Sequence, residues 1–202
     1  DALGKIQVQG GTKDEKTVFY TSLYRCYERP INLSEDGHYY SAFDGKIHED
    51  GGRPFYTDDW IWDRYRAAHP LRILTDRKKH TDIIRSFLRM SEFSSDHWFP
   101  NFPEVTGDSR RMNCNHGVSV IADAWYKGVR DFDLQEAYTY TKAAIEEKTL
   151  APWSSAKAGW IDRFYKEKGY IPSLASGEQE TVPEVNSFEK RQSVAVTLGT
   201  AY

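Results

Sequence analysis

The sequence predicts a mainly α-helical protein that carries one β-hairpin. Six or seven segments place apolar residues at helical spacing, and one segment joins β-rich pieces through a Gly-rich turn. No regular alternation of strands and helices occurs along the chain. Helices that arrive in pairs joined by long, aromatic loops are typical of a helical toroid or of an orthogonal bundle. With 202 residues, the chain is long enough for one good core.

The first predicted helix and the hairpin lie before residue 58. The helix has apolar and aromatic side chains at helical spacing, at Val18, Phe19, Leu23, Cys26 and Tyr27. Pro30 ends it. HYYSAFDGKIH and RPFYT are rich in β-forming residues, and EDGG between them predicts the hairpin turn.

Two further helices are predicted between residues 57 and 95. Thr57 is expected to cap a helix with acidic residues in its first turn, DDWIWDRYRAAHPLRIL, and Pro70 is expected to break or kink it. Residues 77–95 form the next helix. Its buried stripe is predicted at His80, Ile83, Ile84, Phe87, Leu88 and Ser91.

The second half of the chain begins with a predicted loop at residues 98–115, rich in Pro, Gly and Asn. GVSVIADAWYKG follows as a helix that ends at Gly128. Its predicted apolar face consists of Val118, Ile121, Ala122 and Trp125. Asp133 caps the next helix, and residues 155–168 and 187–202 are predicted to be helical. Because the last helix has no cap, we expect the chain to be part of a longer protein.

Composition excludes several classes of function. A net charge of −3 gives no electrostatic case for nucleic acid or for an anionic membrane. No run approaches the roughly 20 apolar residues that a membrane helix needs. Cys26 and Cys114 match neither a metal spacing nor a CxxC motif, so two free thiols or one disulfide remain open. Aromatic residues make up 14 % of the chain, which suits either a sugar or peptide site or simply a core.

The stretch FYTDDWIWDRYRAAHPL holds the candidate binding residues. In a continuous helix, Asp59, Trp62, Asp63 and Arg66 would share one face. An apolar ring beside a carboxylate suits a sugar, because the ring packs on C–H groups while the carboxylate accepts hydrogen bonds from neighbouring hydroxyls. The residues alone leave a second interpretation open, in which Trp62 is core and Asp63 pairs with Arg66 or caps the helix.

Other candidate residues are weaker. Asn115 and His116 precede an apolar helix, where free N–H groups favour oxygen-rich ligands, but a capping Asn beside a structural His fits equally. Asp44 is interpreted as a turn residue before Gly45. The six histidines are scattered without HExxH spacing, and no Walker loop, GxGxxG or GxSxG motif occurs. Zinc, nucleotide and common serine hydrolase sites are therefore not predicted.

Several motifs together resemble a known family. In chain order they are FYTSLYR, FDGKIH, a Gly turn, YTDDWIWDRYRAAHPL, MNCNHGVSVIADAWYKG, GYIP and SVAVTLGTAY. Their order and spacing, from about Phe19 to Tyr202, resemble the catalytic domain of glycoside hydrolase family 92, the calcium-dependent exo-α-mannosidases. The resemblance implies hydrolysis of terminal α-mannosides with inversion of configuration. The family more often has an aromatic and a small residue where this chain has Asp59 and Trp60, so no sugar contact is carried over to these two.

The resemblance also implies a fold and four substrate-binding residues. It predicts that residues 1–202 form about half of an (α/α)6 barrel within a single catalytic domain. The N-terminal β-sandwich and the other half of the barrel would lie outside them. The tryptophan–aspartate pair and the arginine that hold the terminal mannose fall on Trp62, Asp63 and Arg66. A loop histidine falls on His116.

The resemblance places the catalytic groups elsewhere. An inverting glycosidase needs a general acid and a general base about 6.5–9.5 Å apart. In this family the acid, the base and most Ca²⁺ ligands come from segments after the SVAVTLGTAY-like helix. We therefore expect no catalytic residue and no metal ligand among residues 1–202, and no activity of this chain alone. A location in the periplasm or outside the cell is expected as well.

Mannose-containing glycans, N-glycans or mannan, are the expected partners, along with the remainder of the barrel. Two other functions remain open from the sequence. One is a non-catalytic carbohydrate-binding helical domain, and the other is a glycosidase of another (α/α)6-barrel family.

Overall fold

The computed structural model describes residues 2–110, 115–147, 167–170 and 173–179. The chain divides into two compact units, residues 1–141 and residues 142–202. The helices are α1 (Lys13–Arg25), α2 (Ile61–Arg64), α3 (Ala68–Thr75), α4 (Arg77–Phe93), α5 (Gly117–Tyr126) and α6 (Leu134–Glu146), and a 3-10 turn covers Leu3–Lys5. The strands are β1 (Ile31–Asn32), β2 (His38–Ser41), β3 (Lys46–Glu49), β4 (Tyr56–Thr57), β5 (Pro103–Glu104) and β6 (Gly107–Asp108).

The strands form three antiparallel pairs, β1 with β4, β2 with β3, and β5 with β6. Helices with small antiparallel sheets agree with the mainly α prediction, while the barrel arrangement stays a prediction. The predicted helices at 155–168 and 187–202 lie almost entirely outside the described residues. So does Cys114, whereas Cys26 is a free thiol.

Helix α1 begins and ends close to its predicted bounds. Thr12 and Glu15 form a capping box, in which each side chain accepts a hydrogen bond from the backbone N–H of the other. Cys26 takes the C-cap position, ahead of Pro30. Leu23 is the buried residue of this helix, so α1 packs through a narrow stripe.

The hairpin turn predicted at EDGG is wrong. Strands β2 and β3 pair across residues 42–45, with Ser41 opposite Lys46. There the Asp44 carboxylate accepts a hydrogen bond from the N–H of Lys46, and Gly45 adopts a φ of +72°. Asp44 is therefore a turn residue, as interpreted from the sequence. The EDGG segment instead leads into β4, which pairs with β1.

A stack of four rings joins this hairpin to α4. Phe93 lies parallel to His48 at 4.2 Å, His48 lies 5.5 Å from Tyr39, and Tyr39 lies parallel to Phe55 at 4.2 Å. The Arg89 guanidinium sits over both Tyr39 and Phe55. Because stacked rings and a cation above them attract one another, the hairpin is held against α4 by a dense, oriented contact.

Helix α4 is the central element of the core. Asp76 caps it by accepting a hydrogen bond from the N–H of Lys79. The whole predicted stripe is buried, at His80, Ile83, Ile84, Phe87, Leu88 and Ser91. Phe55 just before β4, Ile61 in α2 and Val120 in α5 are also buried in the core. The helix prediction for residues 77–95 is therefore confirmed.

The apolar face predicted for α5 is wrong in part, although Ile121 is buried as predicted. The buried residues are Gly117, Val120, Ile121 and Ala124. Val118 and Ala122 are exposed. Gly117 faces the core because the Phe99 ring leaves no room there for a larger side chain, and Ala124 is buried as well. Hydrophobicity alone therefore misplaces the face. The predicted end is confirmed, since Gly128 follows the C-cap with a φ of +83°.

The start of α6 is also confirmed. The N–H of Glu136 donates to the Asp133 carboxylate at 2.8 Å. The predicted loop before α5 contains the small pair β5–β6. There Asp108 accepts hydrogen bonds from the N–H groups of Asn101 and Phe102, which fold the loop back on itself.

Substitution Gly117→Ala tests the close packing of α5. A Cβ at this position would lie 2.4 Å from two ring carbons of Phe99, which is buried and packs edge-on against Phe87. We expect the substitution to lower the free energy of unfolding by about 1–3 kcal/mol, as overpacking does. Urea unfolding of the complete protein measures this.

Ser119→Ala in the same helix is the control, because Ser119 is exposed. It should leave stability nearly unchanged. Adding Phe99→Leu to Gly117→Ala should give less than the sum of the two single effects. Strict additivity would mean that the Phe99 ring does not limit the space at Gly117.

Candidate functional site

The candidate site lies on the segment between β4 and α3. The helix predicted to start after Thr57 begins three residues late, at Ile61. Thr57 belongs to β4, and its hydroxyl donates to the carbonyl of Glu104. The N–H of Asp59 donates to the carbonyl of Pro103. Because these bonds hold the chain against β5, the helix cannot start at Thr57.

Pro70 does interrupt the helix, but the break precedes it. Residues 65–67 form a turn between α2 and α3, and Pro70 is the third residue of α3. In the first turn of a helix the missing N–H of proline has no intrahelical acceptor to lose. A continuous helix would instead press the ring against the carbonyl of Arg66. The result is a helix of only four residues, α2, set off by a turn.

Asp59 is not on the predicted surface face. Its side chain is 0 % exposed, and its carboxylate oxygens lie 3.0 Å from Nε of Arg64 and 3.2 Å from Nε2 of His69. Burial disfavours the charged carboxylate, but His69, Arg64 and Arg72 outweigh burial and hold the pKa of Asp59 below its ordinary value. Asp59 is therefore an ionised, buried group. It could not join Trp62 and Asp63 because the helix does not extend back to it.

Two arginines beside Asp59 bind the end of α1. Nη2 of Arg64 donates to the carbonyls of Cys26 and Arg29, at 3.0 and 2.6 Å. Nη2 of Arg72 donates to the same two carbonyls, at 3.0 and 2.8 Å. Helices α2 and α3 are thus tied to one point of the backbone, close behind the C-cap of α1.

His80 lies next to this buried charge but stays neutral. Its ring is 0 % exposed and meets the His69 ring edge-on at 5.4 Å. Burial, with the positive field of His69 and Arg72, lowers the pKa of His80 to about 3. Sequence patterning places His80 correctly in the core stripe but gives no sign of its neighbours.

The exposed side of α2 carries an aromatic cluster formed by Trp62, Tyr65 and His116. Trp62 is 39 % exposed, and its ring centre lies 5.8 Å from that of His116. Tyr65 stacks on His116 at 4.1 Å with the rings nearly parallel. Nε of Arg66 donates to the Tyr65 hydroxyl at 2.8 Å. Three of the four predicted binding residues therefore lie together, joined by Tyr65.

Asp63, the fourth predicted residue, is exposed on the same turn of helix. Sequence reasoning missed Tyr65, although its position three residues after Trp62 places it on the same helical face. Trp60 lies apart from the cluster. The Arg29 guanidinium sits 4.6 Å above its ring and pairs with Asp58.

His116 enters the cluster from the start of α5. It occupies the N-cap position without a side-chain capping bond, so its imidazole is left for the aromatic cluster. Burial, and after it the positive charge of Arg66, lowers the pKa of His116. A neutral imidazole offers one donor and one acceptor, which suits a hydroxyl group.

Together with Arg66 and Asp63, the cluster offers flat apolar faces, a guanidinium, an imidazole and a carboxylate. Such a set can hold a polyhydroxylated ring, with C–H groups against the aromatics and hydroxyls on the polar groups. Within residues 2–110, 115–147, 167–170 and 173–179, no group of three or more His, Cys, Asp or Glu side chains could hold a metal ion. No Ca²⁺ ligand is assigned there. No described helix is long and apolar enough to cross a membrane.

Comparison with protein families identifies the class of protein. The catalytic-domain profile of glycosyl hydrolase family 92 matches residues 1–202, the whole chain. The chain therefore belongs to glycoside hydrolase family 92, as its motifs indicated. No curated protein gives a significant sequence match.

Solved structures of two mannosidases are similar to this chain. The family GH92 alpha-mannosidase BT3965 from Bacteroides thetaiotaomicron is 30 % identical, with a TM-score of 0.71 over 85 % of this chain. In its complex with mannoimidazole, the same mannosidase is 29 % identical, with a TM-score of 0.70 over 91 % of this chain. The inverting mannosidase BT2199 from Bacteroides thetaiotaomicron VPI-5482 is 28 % identical, with a TM-score of 0.70 over 85 % of this chain. The matched region covers 22–23 % of those chains, so this chain spans less than a quarter of their length.

A pH dependence of stability follows from His80. The pKa of His80 is about 3 in the folded protein and 6.5 in an unfolded chain. Between these two pH values, the unfolded state binds a proton at His80 and the folded state does not. Stability is fully present above pH 6.5 and falls as the pH drops towards 3. At pH 5 we expect a loss of roughly 2 kcal/mol in the opening free energy of α4. Hydrogen exchange of the complete protein at pH 5 and 8, corrected for intrinsic amide rates, measures it.

His80→Gln should remove most of this dependence. His116, whose pKa is also lowered, contributes in the same direction and remains in the variant. His38→Gln is the matched control, because His38 is exposed, and it should retain the full dependence. An unchanged pH dependence in His80→Gln would contradict the neutral state of buried His80.

Proposed function

We propose that this chain forms one wall of the sugar pocket of an exo-acting α-mannosidase that hydrolyses terminal α-mannosides with inversion. The family match over residues 1–202 supports a glycoside hydrolase. The similar structures named alpha-mannosidase and inverting mannosidase support the substrate class and the stereochemistry. The mannoimidazole complex of BT3965 supports a site for a mannose-like ring.

The observation that carries the proposal is the exposed aromatic cluster of Trp62, Tyr65 and His116. Trp62 packs against the C–H face of the terminal mannose. Asp63 accepts hydrogen bonds from two neighbouring hydroxyls, and Arg66 donates to a sugar oxygen. His116, kept neutral by burial and by Arg66, exchanges a hydrogen bond with a further hydroxyl.

These residues bind and orient the sugar. Inversion needs a general acid on the leaving oxygen and a general base on the attacking water, about 6.5–9.5 Å apart. We assign neither role to a residue of this chain and propose that segments after the SVAVTLGTAY-like helix supply both. Ca²⁺ in the complete enzyme would be bound mainly by the same outside segments.

The architecture proposed for the complete protein follows the family. Residues 1–202 supply about half of an (α/α)6 barrel, whose other half and a β-sandwich domain complete the enzyme. Mannose-containing glycans, N-glycans or mannan, are the proposed substrates. A location in the periplasm or outside the cell stays a prediction.

Removal of the Trp62 ring tests whether Trp62 forms part of the sugar pocket. We expect Trp62→Ala to weaken mannoimidazole binding by the complete protein about 10- to 100-fold, a loss of about 1.4–2.8 kcal/mol of stacking and burial. Asp63→Asn should weaken it about tenfold, because the charged acceptor is lost. Isothermal titration calorimetry measures both.

Tyr126→Ala is the control for Trp62→Ala. Tyr126 is 89 % exposed on α5, outside the aromatic cluster, so its removal should leave the dissociation constant unchanged. Equal affinity of wild type and Trp62→Ala would show that the sugar binds elsewhere.

The complete protein is expected to release β-mannose first from an α-mannoside, because inversion places water on the opposite face of the ring. Proton NMR of the first-formed anomer measures this. Asp63→Ala should reduce the rate while leaving the product anomer unchanged. The isolated 202-residue chain should show no hydrolysis, and turnover by that chain would place the acid and base within it.

A further inference from the structure

The segment that presents Trp62 cannot hold its shape by itself. Helix α2 has four residues, and its N-cap residue, Trp60, makes no side-chain capping bond. Isolated helices of this length are unstable in water, because one or two backbone hydrogen bonds do not offset the entropy of ordering them. The segment between Thr57 and Ala68 must therefore be fixed by tertiary contacts.

Those contacts converge on Asp59. Its N–H is bound to the carbonyl of Pro103, and its carboxylate lies between Arg64 Nε and His69 Nε2. Asp59 stands just before α2, Arg64 ends α2, and His69 lies in the first turn of α3. A single buried carboxylate thus fixes the start of α2, the end of α2 and the start of α3.

The anchored and the exposed residues alternate along this short stretch. Ile61 and Arg64 point to the core side, with Ile61 fully buried, whereas Trp62 and Asp63 are exposed. A rotation of α2 about its own axis would move Trp62 away from His116, and the pairing of Asp59 with Arg64 opposes that rotation. The guanidinium of Arg64 is itself held by the carbonyls of Cys26 and Arg29.

We propose that Asp59 is a positioning residue, whose buried carboxylate fixes α2 and thereby sets Trp62 against His116 for sugar binding. The inference rests on the proposed function for its sugar, but its structural part stands on the contacts of Asp59 alone. Asp59 touches no sugar. It acts through the backbone that carries Trp62.

Asp59→Asn is the informative variant, since it keeps the size of the side chain and removes its charge. In the complete protein we expect hydrogen exchange at residues 60–68 to become roughly tenfold faster, with α4 unchanged. We expect the dissociation constant for mannoimidazole to rise about tenfold. Asp82→Asn is the matched control, because Asp82 is also buried and pairs with Lys78 and Arg85, on α4. It should change neither quantity.

A double-mutant cycle separates positioning from general destabilisation. If Asp59 acts through the Trp62 face, Asp59→Asn should raise the dissociation constant less than twofold in a protein that already carries Trp62→Ala. Independent, multiplying effects of the two substitutions would overturn the proposal. Unchanged exchange at residues 60–68 in Asp59→Asn would overturn it as well.

Failure of the proposed function is distinguishable from failure of this inference. If the wild-type protein does not bind mannoimidazole, the proposed function and the binding role of Asp59 fall together, while the exchange data still decide whether Asp59 fixes α2. If Asp59→Asn does not fold, Arg64→Lys takes its place. A lysine keeps the charge near Asp59 but cannot reach the same carbonyls as a planar fork. It should give the same pattern of exchange and affinity.

Discussion

The buried carboxylate of Asp59 is the interaction on which the candidate site depends. Taking an ionised carboxylate out of water carries a penalty of several kcal/mol, which only close and well-placed positive groups offset. Arg64 and Arg72 provide positive charge and His69 a further close partner, and they come from both helices that follow Asp59. These ion pairs therefore favour one arrangement of the segment between Thr57 and Ala68.

Neutral and charged groups are divided sharply within this core. Asp59 is held ionised by its neighbours, whereas His80, one ring further in, is kept neutral. Two guanidiniums face the same pair of backbone carbonyls, which supply negative partial charge that Asp59 alone cannot. Buried polar groups thus fix the backbone where the chain turns from β4 into α2. This backbone carries Trp62 and Tyr65 of the aromatic cluster.

Sequence patterns predict the long elements well and the short ones poorly. Helix α4 repeats its apolar stripe over 17 residues, so periodicity alone finds both the helix and its buried face. The capping signals at Asp133 and Gly128 depend on local chemistry and are also found where predicted. Helix α2 fails this test, because β1, β5 and the buried ion pairs decide where it starts.

The candidate site was predicted in part for the same reason. Trp62, Asp63 and Arg66 are so close in sequence that a helix of one turn is enough to keep them near one another. His116 joins them from a segment that is distant in sequence, and only the family resemblance assigns it to the same site. Asp59 looked like a fourth surface residue because a helical repeat ignores where the helix begins. The face of α5 was misplaced because a glycine was not counted as a core residue, although the Phe99 ring leaves room for nothing larger at Gly117.

The burial of the Asp59 contacts bears on how the protein responds to dissolved salt. Mobile ions screen the field of a solvent-exposed charge over a Debye length of about 8–10 Å at physiological ionic strength. They hardly affect ion pairs that are enclosed by protein. Partly exposed pairs such as Lys127 with Asp123, and Arg110 with Asp96, weaken at high salt concentration. The enclosed pairs around Asp59 do not, so the geometry of the Trp62 face is insulated from changes in the ionic environment.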